Sequence, residues 1–286
     1  NILNANAGLL IVSCGMSLVM ITGGIDISVG GVAALVSMCC AVYLDHKGGN
    51  IFVSILIAVG IGLAFGLVQG FLIAYLDVQP FIVTLAGMFF ARGMTTIVNT
   101  NPFNVANEKF VALKDTRIVV PFMGSTNRLG KYVDAYIQIG VVVAILVVIV
   151  MYCVLKWTKQ GRNFYAVGGN SQSALMLGIN VKKTKFISYV ISGLLAGIGG
   201  YVYFLHVGSG AASHASGAEM NAIASSIIGG TMLTGGVGNG GEDIFDQFGF
   251  FNFVQHGFVH ACDHGFVCLF NVQLGQQEGD QCAEDC

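Results

Sequence analysis

Two long apolar runs flank one basic segment in the middle of this chain. Residues 141–155 before the segment are all apolar, and residues 186–207 after it contain no Asp, Glu, Lys or Arg. Between the runs, residues 156–185 hold six of the thirteen Lys and Arg residues and no acid. Runs of about 20 apolar residues can cross a bilayer, and Lys and Arg accumulate in cytoplasmic loops. The pattern predicts a membrane protein whose basic segment faces the cytoplasm.

The composition agrees with a membrane protein. Charged residues make up 10% of the chain and apolar residues 55%, whereas ordinary soluble domains have about 25% charged residues. The mean hydropathy is +0.75. A net charge of −2 gives no reason to expect a nucleic-acid partner. The predicted fold class is therefore all-α, a polytopic helical membrane protein with six or seven spans.

The spans can be read from the apolar runs and then oriented. They are 5–22, 28–44, 51–75, 81–98, 135–155 and 186–207, with a shorter one at 221–234. Counting back from a cytoplasmic 156–185 places residue 1 outside, so we expect an earlier helix that this sequence lacks. The loop at 99–134 is then external, although it carries five basic residues against the six of 156–185.

Glycine pairs interrupt the apolar runs at two places. Paired glycines let a membrane helix bend or break around a polar pathway. The predicted break residues are Gly23, Gly24 and Gly30 in the first segment, and Gly229, Gly230, Gly235 and Gly236 in the second. Other glycines repeat every four residues, at 62, 66 and 70 and at 193 and 197, which predicts close helix packing within one subunit.

The first break places a carboxylate, Asp26, at membrane depth, where ionisable groups are costly. One hypothesis is that Asp26, Ser28 and Thr231 approach a shared polar path, since carboxylate and hydroxyl groups suit sugar hydroxyls. The alternative is that Asp26 caps the helix that starts near Ser28. Arg92 is expected to extend towards the outer interface. Cysteines 14, 39, 40 and 153 are interpreted as core thiols.

The basic segment contains a short sequence that can form a few helical turns. Its candidate contact residues are Asn170, Ser171, Ala174, Leu175, Leu177 and Gly178. A helix with a small apolar face in a cytoplasmic loop is suited to gripping a soluble partner. The alternative is that the loop only sets the membrane topology.

Four motifs resemble one family. They are GGIDISVG at 23–30, QPFIVTLAGMFFARG at 79–93, YAVGGNSQSALMLGI at 165–179 and EMNAIASSIIGGTMLTGG at 219–236. They are similar to permease subunits of bacterial simple-sugar ABC importers, a group with ribose, xylose and galactofuranose systems; LAGMFFARG is most similar to the galactofuranose branch. The resemblance covers about residues 1–239, the expected permease domain.

The resemblance implies partners and a location. It implies a multi-pass protein of the bacterial inner membrane, paired with a second permease subunit in a homo- or heterodimer. Cytoplasmic ATPase subunits would bind ATP, so the chain itself would be neither an enzyme nor the carrier of a cofactor. A periplasmic binding protein would deliver the sugar, near the loop at 99–134. Residues 170–178 would be the coupling helix that docks in the ATPase.

Other function classes fit the sequence less well. No G-x-x-x-x-G-K-[ST] motif is present in the sequence, so ATP binding of that type is not expected. The glycines at 236, 238 and 241 match a dinucleotide fingerprint in spacing but follow no recognisable strand. An ion-coupled secondary transporter remains the main alternative, although it should have more intramembrane acids. An intramembrane enzyme would need a nucleophile–base pair or a metal cluster.

The segment 240–286 differs from the rest of the chain. It contains eight of the fifteen acids and no Lys or Arg. Its His and Cys residues at 256, 260, 262, 264 and 268 have a spacing that could suit zinc. We favour the interpretation that 240–286 is an out-of-frame tail, because the resemblance stops at residue 239 where further membrane helices are expected.

Overall fold

The chain forms a bundle of membrane-length helices, shown here by a computed structural model that describes residues 2–46, 48–126 and 132–236. The helices of the described residues, in chain order, are α1 (Ile2–Ile21), α2 (Val29–His46), α3 (Ile51–Tyr75), α4 (Pro80–Val98), α5 (Glu108–Lys114), α6 (Ile139–Trp157), α7 (Lys159–Gly169), α8 (Ser171–Met176), α9 (Val181–Val207) and α10 (Ala218–Ile228). The strands are β1 (Phe103–Asn104), β2 (Arg117–Thr126), β3 (Tyr132–Gln138) and β4 (Ser209–Gly210).

Within the described residues, five helices are long and apolar enough to cross a membrane, namely α1, α3, α4, α6 and α9, and α2 is a somewhat shorter apolar helix. These six match the six long predicted spans, and the all-α polytopic prediction is confirmed. The sixth span begins later than expected, because residues 135–138 belong to β3, which pairs with β2 in an antiparallel hairpin. The hydrogen bonds of the hairpin satisfy the backbone N–H and C=O groups of these residues before the chain enters the apolar run at Ile139.

The predicted short span at 221–234 is wrong. Helix α10 has eleven residues and ends at Ile228, so it is about 16 Å long, against about 30 Å of hydrocarbon. A loop at 208–217 precedes α10, and the second glycine segment follows it.

The core forms around α1 and α9, the most buried of the long helices. Helix α9 packs against α3 through glycines: a side chain at Gly62 would meet the backbone of Gly193 and Gly197, and one at Gly193 would meet Gly62 and Gly66. The predicted packing of these glycines within one subunit is therefore confirmed. The outward faces of α3, α4 and α6 carry many exposed large apolar residues, as lipid-facing helices do.

Serine side chains join α1 to α10. Ser225 Oγ donates to Ser13 Oγ at 2.9 Å, and Ser17 Oγ donates to Ser226 Oγ at 3.0 Å. Hydroxyl pairs of this kind hold membrane helices together without a charge. Cys14 and Cys40 are buried free thiols, as predicted, whereas Cys39 and Cys153 are only partly buried.

The bundle has two ends. Helices α7 and α8 lie at the end reached by the C-terminus of α6, which we call the basic end after residues 156–185. The β2–β3 hairpin lies at the opposite end, which we call the hairpin end.

Candidate functional site

The first break separates α1 from α2 at residues 22–28. Helix α1 ends in a turn in which the backbone N–H groups of Thr22, Gly23 and Gly24 bond to carbonyls of residues 18–20. Gly23 has φ +80°, a conformation that favours glycine. The chain then turns back, and the carbonyl of Ser28 accepts the first bond of α2, from the N–H of Val32 at 2.9 Å.

Asp26 occupies the centre of this break. Its Oδ1 accepts hydrogen bonds from the Ser28 N–H at 3.1 Å and the Ser28 hydroxyl at 2.6 Å, and its Oδ2 accepts one from the Ser192 hydroxyl at 2.8 Å. The side chain is only 1% exposed. The carboxylate therefore fixes Ser28 at the N-terminus of α2 and ties it to α9. These contacts favour the capping interpretation, because both carboxylate oxygens are already paired.

Gln69 of α3 extends this network. Ser28 Oγ lies 3.1 Å from Gln69 Oε1, and Gln69 Nε2 has no hydrogen-bond partner among the described residues. A hydroxyl has one proton, so the Ser28 hydroxyl cannot donate a full hydrogen bond to Asp26 and to Gln69 at the same time. The opposite amide orientation would let Nε2 donate to Ser28, which leaves the Ser28 proton for Asp26.

Sequence reasoning did not identify Gln69 or Ser192. A signal for Gln69 was available, because it is the only amide or charged side chain between residues 55 and 75. Ser192 had no such signal, since α9 contains other serines and hydroxyls are ordinary in packed membrane helices.

Arg92 does not extend towards the outer interface as expected. Its guanidinium donates to the carbonyl oxygens of Ala212 at 3.3 Å, His214 at 2.7 Å and Ala215 at 3.0 Å, and lies 3.9 Å from Glu219. The carbonyl oxygens of a loop packed inside a bundle have no water to bond to. The guanidinium, with five N–H donors, supplies their hydrogen bonds instead. Arg92 therefore anchors the 208–217 loop, and Glu219 is a second acid inside the bundle.

The second break follows α10. The Gly229 N–H closes the last turn of α10 on the carbonyl of Ser225 at 3.0 Å. Positive φ angles follow at Gly230 (+97°), Gly235 (+80°) and Gly236 (+72°). Thr231 is 2% exposed, and its hydroxyl has no hydrogen-bond partner within the described part of the chain. Met232, Leu233 and Thr234 are exposed.

The two breaks meet, but not through the predicted side chains. The Gly236 N–H donates to the carbonyl of Ile21 at 2.9 Å, and a side chain at Gly235 would approach the backbone of Gly23 to 2.9 Å. Asp26 and Ser28 bond to each other, whereas Thr231 bonds to neither. Of the proposed path residues, the structure therefore joins only Asp26 and Ser28 by a hydrogen bond.

Gly30 lies inside the first turn of α2 rather than in the break where the sequence placed it. The position is tightly packed, since a Cβ there would approach the Ala215 carbonyl oxygen to 3.2 Å and collide with the Glu219 carboxylate. The requirement for glycine at 30 thus comes from the close approach of α10 and the loop before it.

The predicted contact segment forms α8. Asn170 caps it, its Oδ1 accepting from the N–H groups of Gln172 and Ser173, both at 3.0 Å. Gly178, with φ +79°, ends the turn, and the Ile179 N–H returns to the carbonyl of Ala174 at 3.0 Å. The helix is capped at both ends, although it is only six residues long.

The apolar face of this segment differs from the predicted one. Ala174 is buried, whereas Leu175, Met176 and Leu177 are 65%, 89% and 78% exposed. Met176 was not predicted as a contact residue. On so short a helix, three consecutive residues reach solvent because only one side of the turn packs on the bundle.

The basic segment also contains a helix, α7, that was not predicted from the sequence. The Thr158 side chain caps its N-terminus by accepting from the Gly161 N–H at 3.1 Å. Phe164 and Val167 on its inner face are buried. Lys159 and Arg162 are exposed, so α7 is an amphipathic helix on the basic end of the bundle.

No group of three or more His, Cys, Asp or Glu residues that could hold a metal occurs among residues 2–46, 48–126 and 132–236. The His and Cys cluster considered for zinc, at residues 256–268, lies outside the described residues, as does the whole of 240–286.

Curated proteins similar to this chain are transport permeases. The chain is 37% identical to the fructose import permease protein FruG of Bifidobacterium longum over 82% of this chain and 67% of that protein. It is 35% identical to the inner membrane ABC transporter permease protein YjfF of Escherichia coli, covering 83% and 69%. It is 34% identical to the ribose import permease protein RbsC of Escherichia coli, covering 83% and 70%. No solved structure matches.

A family model described as "Branched-chain amino acid transport system / permease component" matches residues 1–241. The match includes both helix breaks, α7 and α8. The chain is therefore a polytopic membrane protein that belongs to this family of permease components.

Proposed function

We propose that the chain lines the membrane pathway for a simple sugar in a bacterial inner-membrane ABC importer. In this proposal a periplasmic binding protein delivers the sugar, ATPase subunits on the cytoplasmic side supply the energy, and a second permease subunit completes the pathway. The names of two relatives, which specify fructose and ribose import, support a sugar substrate. The family description specifies branched-chain amino acids, so leucine is the competing substrate to test.

One observation carries the proposed coupling to an ATPase: the exposed apolar triplet Leu175, Met176 and Leu177 on a helix capped at both ends. Contiguous exposed apolar residues mark a contact with a protein or a membrane. The exposed polar residues 171–173 of the same helix favour a protein partner. Lys182 and Lys183 are exposed nearby in the first turn of α9. A soluble subunit that bound here would cover the triplet.

Within the pathway, the structure favours Thr231 over Asp26 as a sugar contact. Both carboxylate oxygens of Asp26 are hydrogen-bonded and the residue is only 1% exposed, so contact with a sugar would first require the break to open. The Thr231 hydroxyl makes no bond that a sugar would have to displace. We therefore propose that the second break borders the route and that the first break supports it.

The ion-coupled alternative gains no support from these contacts. Such a carrier needs an intramembrane acid that is free to bind a cation. Asp26 already accepts hydrogen bonds from hydroxyl and N–H donors, and Glu219 lies 3.9 Å from the Arg92 guanidinium. YjfF is named as an ABC transporter permease, which also supports the importer.

The experiment is reconstitution with an ATPase subunit and a binding protein encoded beside the chain. Met176→Asp should remove most of the co-purifying ATPase and of the ATP-driven uptake of labelled fructose or ribose, because it places a charge in the exposed triplet. Gln172→Asp, on an exposed polar position of the same helix, controls for the added charge and should retain both. Unchanged ATPase binding by Met176→Asp would contradict the docking surface, and uptake of leucine alone would contradict a sugar substrate.

A further inference from the structure

The C-terminal end of α7 is in backbone contact with both helix breaks. A side chain at Gly168 would collide with the carbonyl oxygen of Ile21, at the end of α1, and would approach the Gly236 N atom to 2.6 Å. A side chain at Gly235 would approach the Gly168 carbonyl oxygen to 3.0 Å and Gly23 to 2.9 Å. We call these five residues, Ile21, Gly23, Gly168, Gly235 and Gly236, the glycine junction.

A hydrogen bond closes the junction. The Gly236 N–H donates to the Ile21 carbonyl at 2.9 Å, the same oxygen against which Gly168 packs. Gly235 and Gly236 have φ angles of +80° and +72°, which glycine adopts without strain. The end of α1, the end of α7 and the second break thus meet at one point, where there is no room for a Cβ at Gly168.

The junction is continuous with α8. Gly169 ends α7, and Asn170 alone separates it from the first residue of α8. Asn170 holds α8 through two side-chain bonds and bonds back to α7 through its N–H, which donates to the Ala166 carbonyl at 3.2 Å. A displacement of α8 must therefore displace the end of α7 or break these caps.

The body of α7 is fixed to the same part of the bundle. Phe164 is fully buried in a cluster that includes Leu18 and Ile21 of α1 and Val148 of α6. Helix α7 therefore joins the core cluster that includes α1 through Phe164, one turn before it contacts Ile21 and Gly236 through Gly168. Two contacts a turn apart allow a helix to transmit a tilt as well as a translation.

From this geometry we propose that Gly168 is the positioning residue through which movement of α8 reaches the glycine junction, so that α7 and the second break move as one unit relative to the first break. The proposal rests on the docking function proposed above for α8. A packed contact of this kind has few intermediate positions, because interiors repack between discrete states rather than deforming continuously.

The test compares glycine substitutions in the reconstituted importer. Gly168→Ala and Gly168→Val add a Cβ where Ile21 and Gly236 leave no space. Gly60→Ala and Gly93→Ala add the same Cβ to α3 and α4 at positions with no neighbouring atom within 4 Å. The readouts are the co-purified ATPase subunit, the rate of ATP hydrolysis and the amount of labelled sugar transported per ATP.

The Gly168 variants should keep the ATPase bound and lower the sugar transported per ATP by about tenfold or more, within the usual range of coupling between sites. The two control variants should transport as the unchanged protein does. A merely structural role would lower the yield of complex without changing the ratio of sugar to ATP. An unchanged ratio in Gly168→Val would overturn the proposal.

A second measurement leaves the junction intact. Genetically encoded spin labels, chosen because the chain has eight cysteines, are placed at Arg162 on α7 and at Met232 in the second break, both exposed. The 162–232 distance should stay constant between nucleotide-free and ATP-bound states, while the distance from each label to a third label at Ile97 of α4, which is also exposed, changes. A changed 162–232 distance would overturn the common movement.

The outcomes separate the two proposals. If the unchanged protein binds no ATPase subunit, the docking function fails, and with it the basis for a coupling role. If the unchanged protein binds the ATPase and transports sugar, but Gly168→Val does so with the same ratio, only the junction fails.

Discussion

The two helix breaks are built in different ways. The first is held by side chains, with both oxygens of Asp26 paired to Ser28 and Ser192. The second is held by backbone, through positive φ angles at three glycines and one N–H bond to Ile21. Buried within the second break, the Thr231 hydroxyl has no partner among the described residues.

This difference indicates which break can rearrange. Opening the first break would separate a buried carboxylate from its donors, and such a group is expensive to leave unpaired. Separating the second break from α1 would cost one backbone hydrogen bond, from Gly236 to Ile21, and some packing. We therefore expect the first break to act as a fixed corner and the second to be the more adaptable segment. Substitutions in each break can sharpen or overturn this comparison.

The largest effect is expected at Asp26. Asp26→Ala should lower the free energy of unfolding by about 3 kcal/mol, because it leaves the Ser28 N–H and the Ser192 hydroxyl buried without acceptors. Thermal or denaturant unfolding in detergent measures the loss, and Asp115→Ala, at an exposed carboxylate, should change little.

Asp26→Asn tests the role of the carboxylate in transport. It retains one acceptor for the Ser28 N–H, so we expect a smaller loss of stability and near-normal uptake of labelled sugar. Loss of uptake in a variant that still folds and inserts would contradict the fixed-corner interpretation and return Asp26 to the sugar pathway.

An intermediate effect is expected at Gly235. Gly235→Ala should cost about 2 kcal/mol, because alanine pays about 1–2 kcal/mol for a left-handed conformation and its Cβ would also press on Gly23. Gly217 provides the control: it has φ +80° as well, but no atom within 4 Å of an added Cβ. The difference between the two alanine variants in unfolding experiments measures the contact alone. Equal losses would show that the breaks do not support each other there.

The smallest effect on stability is expected at Thr231. Thr231→Val removes a hydroxyl that bonds to nothing described and keeps the shape, so the free energy of unfolding should change by no more than about 0.5 kcal/mol. Thr184→Val is the matched control and should cost more, because the buried Thr184 hydroxyl donates to the Asn180 carbonyl at 2.9 Å. If Thr231 borders the sugar route, the valine variant should fold normally but transport more slowly. Normal transport would remove Thr231 from the pathway.

The sequence predicted the long helices because each depends on local composition. Residues 51–75 and 186–207 are apolar over membrane length, and no tertiary partner is needed to recognise them. Helix α7 was missed because its first half is polar or basic and three of its eleven residues are glycine. Its burial through Phe164 depends on packing in a core cluster that includes residues of α1. The seventh span was overestimated because apolar residues continue past Ile228, where the glycines end the helix.

At the candidate site, the sequence located the breaks but not their contacts. Paired glycines mark a bend in any membrane helix, and Asp26 was identified because a carboxylate is conspicuous among apolar residues. Its partner Ser192 lies 166 residues away. Arg92 was misassigned for the same reason, because the carbonyls it binds belong to a loop 120 to 123 residues further along the chain.

The sequence by itself determined that this chain crosses a membrane several times, that two glycine segments interrupt its helices and that a basic segment can form a short helix. These features follow from hydropathy, backbone freedom and local hydrogen bonding, which act over a few residues. Only the tertiary structure decided that Asp26 is a satisfied cap, that Arg92 holds a loop and that α7 touches both breaks at Gly168. Each of these depends on which distant backbones approach closely enough to exclude water or a Cβ, and that is a property of the packed bundle.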